Sequence, residues 1–170
     1  MAQTQPKIRD ILQQKNIAVT GKLNTTTIDD VAKQLAPLTP NQALFGPILH
    51  IGFALGKSLG LKSVGNQQLM CNHTYPEVIV GLVLAIQQEQ LDLRQMIDTP
   101  TGAYFEIALP VDVFSVGGLL SFTVTSVQAQ QCLIQGKYEI QGQKFSWGKG
   151  DRALKAVLSQ VEPYILRIGP

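Results

Sequence analysis

Cys71 and His73 are the first residues to weigh for chemistry, because a thiol and an imidazole near each other can act as nucleophile and base. Their spacing works against it. On an extended strand, side chains at i and i+2 point the same way about 7 Å apart, whereas proton transfer needs about 3 Å. A turn would have to close the gap. A metal site is no better supported. Structural zinc takes four ligands, and catalytic zinc usually takes three plus water. Adding His50 and Cys132, the other histidine and the other cysteine, gives no known ligand spacing. Both thiols read as free and buried, as in a reducing compartment. A disulfide between them is neither suggested nor excluded.

No Gly-x-Ser-x-Gly elbow occurs, so a serine triad has no support either. Gly52-Phe-Ala-Leu-Gly56 is too apolar for a nucleotide loop. Gly148-Lys-Gly-Asp-Arg152 is the most polar glycine-rich corner, and amides at a helix start can hold an anion. A plain turn with a helix cap explains it as well. Glu106 stands out among the carboxylates, sitting within an apolar strand beside Tyr104. Lining a cavity, it would have a raised pKa and could anchor a polar ligand atom.

Binding of an apolar ligand fits the remaining signals better. His50 and Ile51 lie with Leu55 in an apolar, glycine-rich helical pattern, and Leu82 lies in a second. Phe122 and Trp147 belong to the strand-rich half, where Trp147 could close the mouth of a pocket. The candidate ligand-binding set is therefore His50, Ile51, Leu55, Leu82, Tyr104, Glu106, Phe122 and Trp147, with no catalytic or metal-ligating set. No cofactor is indicated.

The elements that would position these residues follow from periodicity. Ile8, Ile11 and Leu12 repeat at helical spacing and predict a helix over 7–15. A second is predicted over 24–35, with Thr25, Thr26 or Thr27 as cap and Asp29 and Asp30 near its positive end. Pro37 and Pro40 close this piece. Residues 1–40 thus read as a helical arm or hairpin leaning on an α+β domain over 41–170. Residues 42–59 form the next predicted helix. Gly46, Gly52, Gly56 and Gly60 give it a face for close packing. Pro76 suits the first turn of a helix over 76–90. Residues 91–97 either continue that helix after a break or form a short turn.

From Gly102 on, the pattern changes to period two. Residues 103–109, 119–127, 132–140 and 143–147 predict strands, the last two as a hairpin near Gly142, and 66–71 a further short one. Asp151 caps a final helix running to about Tyr164. The fold class is α+β: a helical N-terminal half packed on a mostly antiparallel sheet of about four to five strands, closed by a C-terminal helix.

Composition narrows function by exclusion. Of 170 residues, 45% are apolar and 15% charged, which is unlike a disordered chain. The 14 basic and 12 acidic side chains show no basic cluster, so nucleic acid is an unfavoured partner. Stretches of about 18 apolar residues, long enough to span a membrane, do not occur. The polar start lacks the apolar core of a secretory leader, and cytoplasmic residence is the expectation. The reading is a non-catalytic binding module with an apolar groove or cavity between helices and sheet, for a hydrophobic small molecule or a partner protein. A weakly charged surface also suits a homodimer. The alternatives are a structural or oligomerisation protein, and a small enzyme using dispersed polar residues.

Overall fold

Period-two alternation builds the centre of the molecule. In the computed structural model, which describes residues 5–19, 60, 62–110, 117–141 and 148–168, five strands form one sheet. They are β1 (Lys62–Cys71), β2 (Asp92–Thr99), β3 (Gly102–Leu109), β4 (Gly118–Gln128) and β5 (Gln131–Gln141). The order is β1-β5-β4-β3-β2, and every neighbouring pair is antiparallel. Strands β2 to β5 form a meander of sequential neighbours. Strand β1, the earliest described strand, pairs with β5, the last described one.

Three helices are described: α1 (Ile8–Gln14), α2 (Tyr75–Gln88) and α3 (Lys149–Ile168). All bury side chains in the core that the sheet's inner face lines. The α1 helix contributes Ile8, Ile11 and Leu12, the apolar face read from their spacing. Its first N–H has no cap from its own segment. Instead the Ile8 amide donates to the Asp98 carboxylate at 2.9 Å, which ties α1 to β2. Asn16 ends the helix in the left-handed region, φ 52°.

The α2 helix starts on local chemistry. The Glu77 carboxylate accepts from the Thr74 amide at 2.8 Å and the Thr74 hydroxyl at 2.7 Å, and Pro76 occupies the first turn. These bonds hold the Glu77 carboxyl below its ordinary range, with His73 and Lys15 adding to the effect. Most of α2 is buried, because α1, α3 and the sheet all pack on it. Against α3 the approach is very close at Gly81. A Cβ there would lie 2.7 Å from Ile165 Cγ1 and 2.9 Å from the Val161 carbonyl oxygen. The buried stripe of α3 is Leu154, Val157, Leu158, Val161 and Ile165.

The α+β class, the antiparallel sheet and the closing helix agree with the sequence reading. The front is not wholly helical, because β1 and β2 both precede Gly102, and most of the predicted helical half lies outside the described residues. Residues 92–97 are neither a helix continuation nor a turn but part of β2, which Leu91 precedes. A β-bulge between Leu93 and Gln95 explains the misreading. It places Leu93 and Met96 against Ile107 and Phe105, on one face though three residues apart, and this spacing imitates a helix. Strand β1 is also longer than residues 66–71. The helices predicted over 24–35 and 42–59, the strand over 143–147 and the boundary at 40/41 lie outside the described residues.

Candidate binding surface

Alternation gives the sheet two unlike faces. The inner face carries Phe105, Ile107, Leu120, Phe122, Val124, Ile134 and Ile140, all fully buried under the helices. The space between sheet and helices is filled at its middle. A Cβ on Gly136 would lie 2.6 Å from Leu154 Cδ2 and 3.0 Å from Phe122 Cε1. Tyr138 sits in a comparable slot. Its ring occupies the space that a Cβ on Gly65 or Gly150 would take, and its hydroxyl donates to Asp151 at 3.1 Å.

The outer face is a set of rows running across the strands. Asn66, Lys137, Ser121, Glu106 and Gln95 form one; Gln68, Gln135, Thr123, Tyr104 and Ile97 form the next. Beside them Val64, Glu139, Leu119, Ala108 and Asp92 form a further row, and Met70 lies across from Leu133. Most of these groups are uncharged. Tyr104 and Glu106 lie on β3, between β4 and the edge strand β2. The Tyr104 hydroxyl donates to Glu106 Oε2 over a long 3.3 Å. Burial first, then the neighbouring Glu106 charge, pushes the phenol above its ordinary range. The Lys137–Glu139 pair, at 3.9 Å on the same face, is exposed and adds little stability.

The two edges of this sheet differ. Strand β2 carries Asp92, Arg94 and Asp98 along eight residues, is bulged, and anchors α1. Charges and bulges are what proteins use to stop an edge from recruiting another strand. Strand β1 runs ten residues in unbroken register with β5, has Lys62 as its one charge, and has no proline. On the outer face it shows Val64 and Met70, 42% and 46% exposed.

Of the eight sequence-predicted residues, Leu82, Tyr104, Glu106 and Phe122 are among the described ones. Leu82 and Phe122 are fully buried in the filled interior. Tyr104 and Glu106 lie on the other face, because strand period two sends Glu106 opposite Ser121 while Phe122 faces inward. The sheet therefore separates the two pairs. His50, Ile51, Leu55 and Trp147 lie outside the described residues. A shallow groove of about 340 Å³ occurs elsewhere, lined by Val19, Gln87, Gln90, Leu91, Asp92 and Leu93. Cys71 faces inward at the end of β1, so the sheet also lies between it and Glu106. The Gly148–Arg152 corner works as a helix start: Gly148 has φ 69°, its carbonyl accepts from the Arg152 amide, and Lys149 Nζ donates to the Pro110 carbonyl.

Sequence reasoning missed two features. One is the place of β1 at the edge of the sheet that the described strands form, hidden because Gly65 and a run of amides weaken its strand pattern. The other is the register of Cys71 directly opposite Cys132.

Among the described residues no group of three or more His, Cys, Asp or Glu could hold a metal ion, and no helix is long and apolar enough to cross a membrane. No family model matches the chain, and no curated protein matches it. Among solved structures it is similar to norcoclaurine synthase from Thalictrum flavum, with TM-score 0.39 and 12% identity over 78% of this chain and 95% of that one. The same enzyme in complex with dopamine and hydroxybenzaldehyde matches with TM-score 0.38 and 13% identity over 78% and 94%. A conserved protein of unknown function from Enterococcus faecalis matches with TM-score 0.35 and 9% identity over 69% and 94%.

Proposed function

We propose that the protein is a non-catalytic binding module whose partner is a second copy of the chain, joined edge to edge along β1. The observation that carries this is the inequality of the sheet edges: β2 is bulged and charged, while β1 is long, regular and nearly uncharged. Strand addition to such an edge supplies a ladder of main-chain hydrogen bonds, and side chains set the register. The sequence of β1 complements itself. An antiparallel pair centred on Gln67 sets Val64 of one copy against Met70 of the other, and Asn66 against Gln68. Lys62 then meets Asn72, so no like charges face each other. A shift of the centre to Asn66 would oppose Val64 to Gln68 and lose the apolar match.

The filled space around Phe122, Gly136 and Leu154 favours a protein partner over a small molecule held between helices and sheet. Tyr104 and Glu106 keep a place in this reading, since pairing two copies would extend their outer face into one continuous sheet surface. A cytoplasmic setting belongs to the same proposal.

Sedimentation velocity across a concentration series tests it. The expected result is a dimer that becomes monomeric in the Val64→Lys/Met70→Lys double variant, with an unchanged far-ultraviolet spectrum. Wild-type protein that stays monomeric at high micromolar concentration overturns the proposal, and so does a dimer that survives both lysines.

A further inference from the structure

We infer that Cys71 and Cys132 are a built-in dithiol that a small disulfide oxidant converts to a disulfide within one chain, stapling the end of edge strand β1 to β5. The two residues are direct cross-strand partners at the last pair of the β1–β5 ladder. Both side chains lie on the inner face and are fully buried. Directly opposed residues of an antiparallel pair have Cα atoms about 4.5–5.5 Å apart. Disulfides span Cα separations of about 4.4–6.8 Å. The pairing therefore puts both side chains on one face, with a backbone separation of the kind a disulfide spans.

Their surroundings explain why the resting form is the dithiol. Burial pushes each thiol up to about 11, with Glu162 on α3 and Cys132 itself adding to the effect at Cys71. The Ser126 hydroxyl beside Cys132 acts in the opposite direction. Few thiolates exist at neutral pH, and the thiolate is the attacking species. Reaction therefore passes through an opening of the ladder's end. The position favours it: Cys71 is the last residue of an edge strand and Asn72, which follows, is exposed.

The chemistry balances. One thiol gives up its proton, and its sulfur attacks the small disulfide, expelling a thiolate that takes that proton. The second thiol then attacks the mixed disulfide and expels the other small thiol with the second proton. Two protein S–H bonds and one oxidant S–S bond break; one protein S–S bond and two small-thiol S–H bonds form. The protein loses two electrons and the oxidant gains them.

The test treats the folded full chain with oxidised glutathione and reads intact mass and free thiols. The expected product is a single chain lighter by two hydrogens, with both thiols gone, that runs as a monomer on a non-reducing gel. Its formation should speed up as pH is raised toward the thiol range. The Cys71→Ser and Cys132→Ser variants should each stop at one glutathione adduct. Wild-type chains carrying two glutathiones, disulfide-linked between chains, or keeping two free thiols after prolonged exposure would overturn the inference. The mass readout concerns one chain only, so it stands or fails separately from the dimer.

Discussion

Under the helices, Phe105, Phe122, Ile134 and Ile140 are sealed from water; on the opposite face of the same strands, Ile97, Val64 and Met70 are each about two-fifths exposed or more. The backbone ladder is common to both faces, so the difference belongs to what covers them. The inner face is closely packed against the helices, as the crowding at Gly136 shows. The outer face has rows of amides, hydroxyls and scattered apolar groups that no described helix covers. Stability should therefore respond to inner substitutions and recognition to outer ones.

The strongest attempt to break this contrast is Phe122→Ala. Truncating a fully buried ring should cost about 3–5 kcal/mol, read as a lower midpoint in denaturant. A loss below about 1 kcal/mol would mean that the interior collapses easily and is not the rigid face described. An intermediate effect is expected at the start of α2. The folded-state pKa of Glu77 lies below its ordinary value, so its bonds to Thr74 stabilise the fold above the ordinary carboxylate range and are lost as pH falls through the folded value. Glu77→Gln should lower stability at pH 7, by an amount of the order of an N-cap contribution, about 0.5–2 kcal/mol. It should also flatten the decline on acidification, which denaturant midpoints at several pH values would record. The smallest effect is expected from Tyr104→Phe, within about 0.5 kcal/mol, because the bond it removes is long and half-exposed. A larger loss would show that the outer face also carries stability.

Residues that follow one period over many positions were legible in the sequence. Ile8, Ile11 and Leu12 gave α1, Val78 to Ile86 gave α2, and the alternations from 103 and 132 gave β3 and β5. Where the backbone departs from its period, reading failed. The β2 bulge gave Leu93 and Met96 a helical spacing, and β1 is written largely in Lys, Ser, Gly, Asn and Gln, types that do not announce a strand. The site was harder still. Tyr104 and Glu106 share a face in any strand, so their pairing could be read locally. Which face is covered depends on tertiary packing. The meeting of Cys71 and Cys132 depends on the register between strands about sixty residues apart, and no local pattern encodes it.

The pairing of the first strand with the last also sets a schedule. At about 5–20 residues per second of synthesis, the roughly sixty residues between β1 and its partner β5 take about 3–12 s to make. A hairpin needs only about 1–10 μs to close. Each neighbour in the β2 to β5 meander follows its partner almost at once, whereas β1 emerges first of the described strands and waits longest for its described mate. Among the described strands, the nearly uncharged edge strand is thus also the one left single for the longest time while the protein is being born.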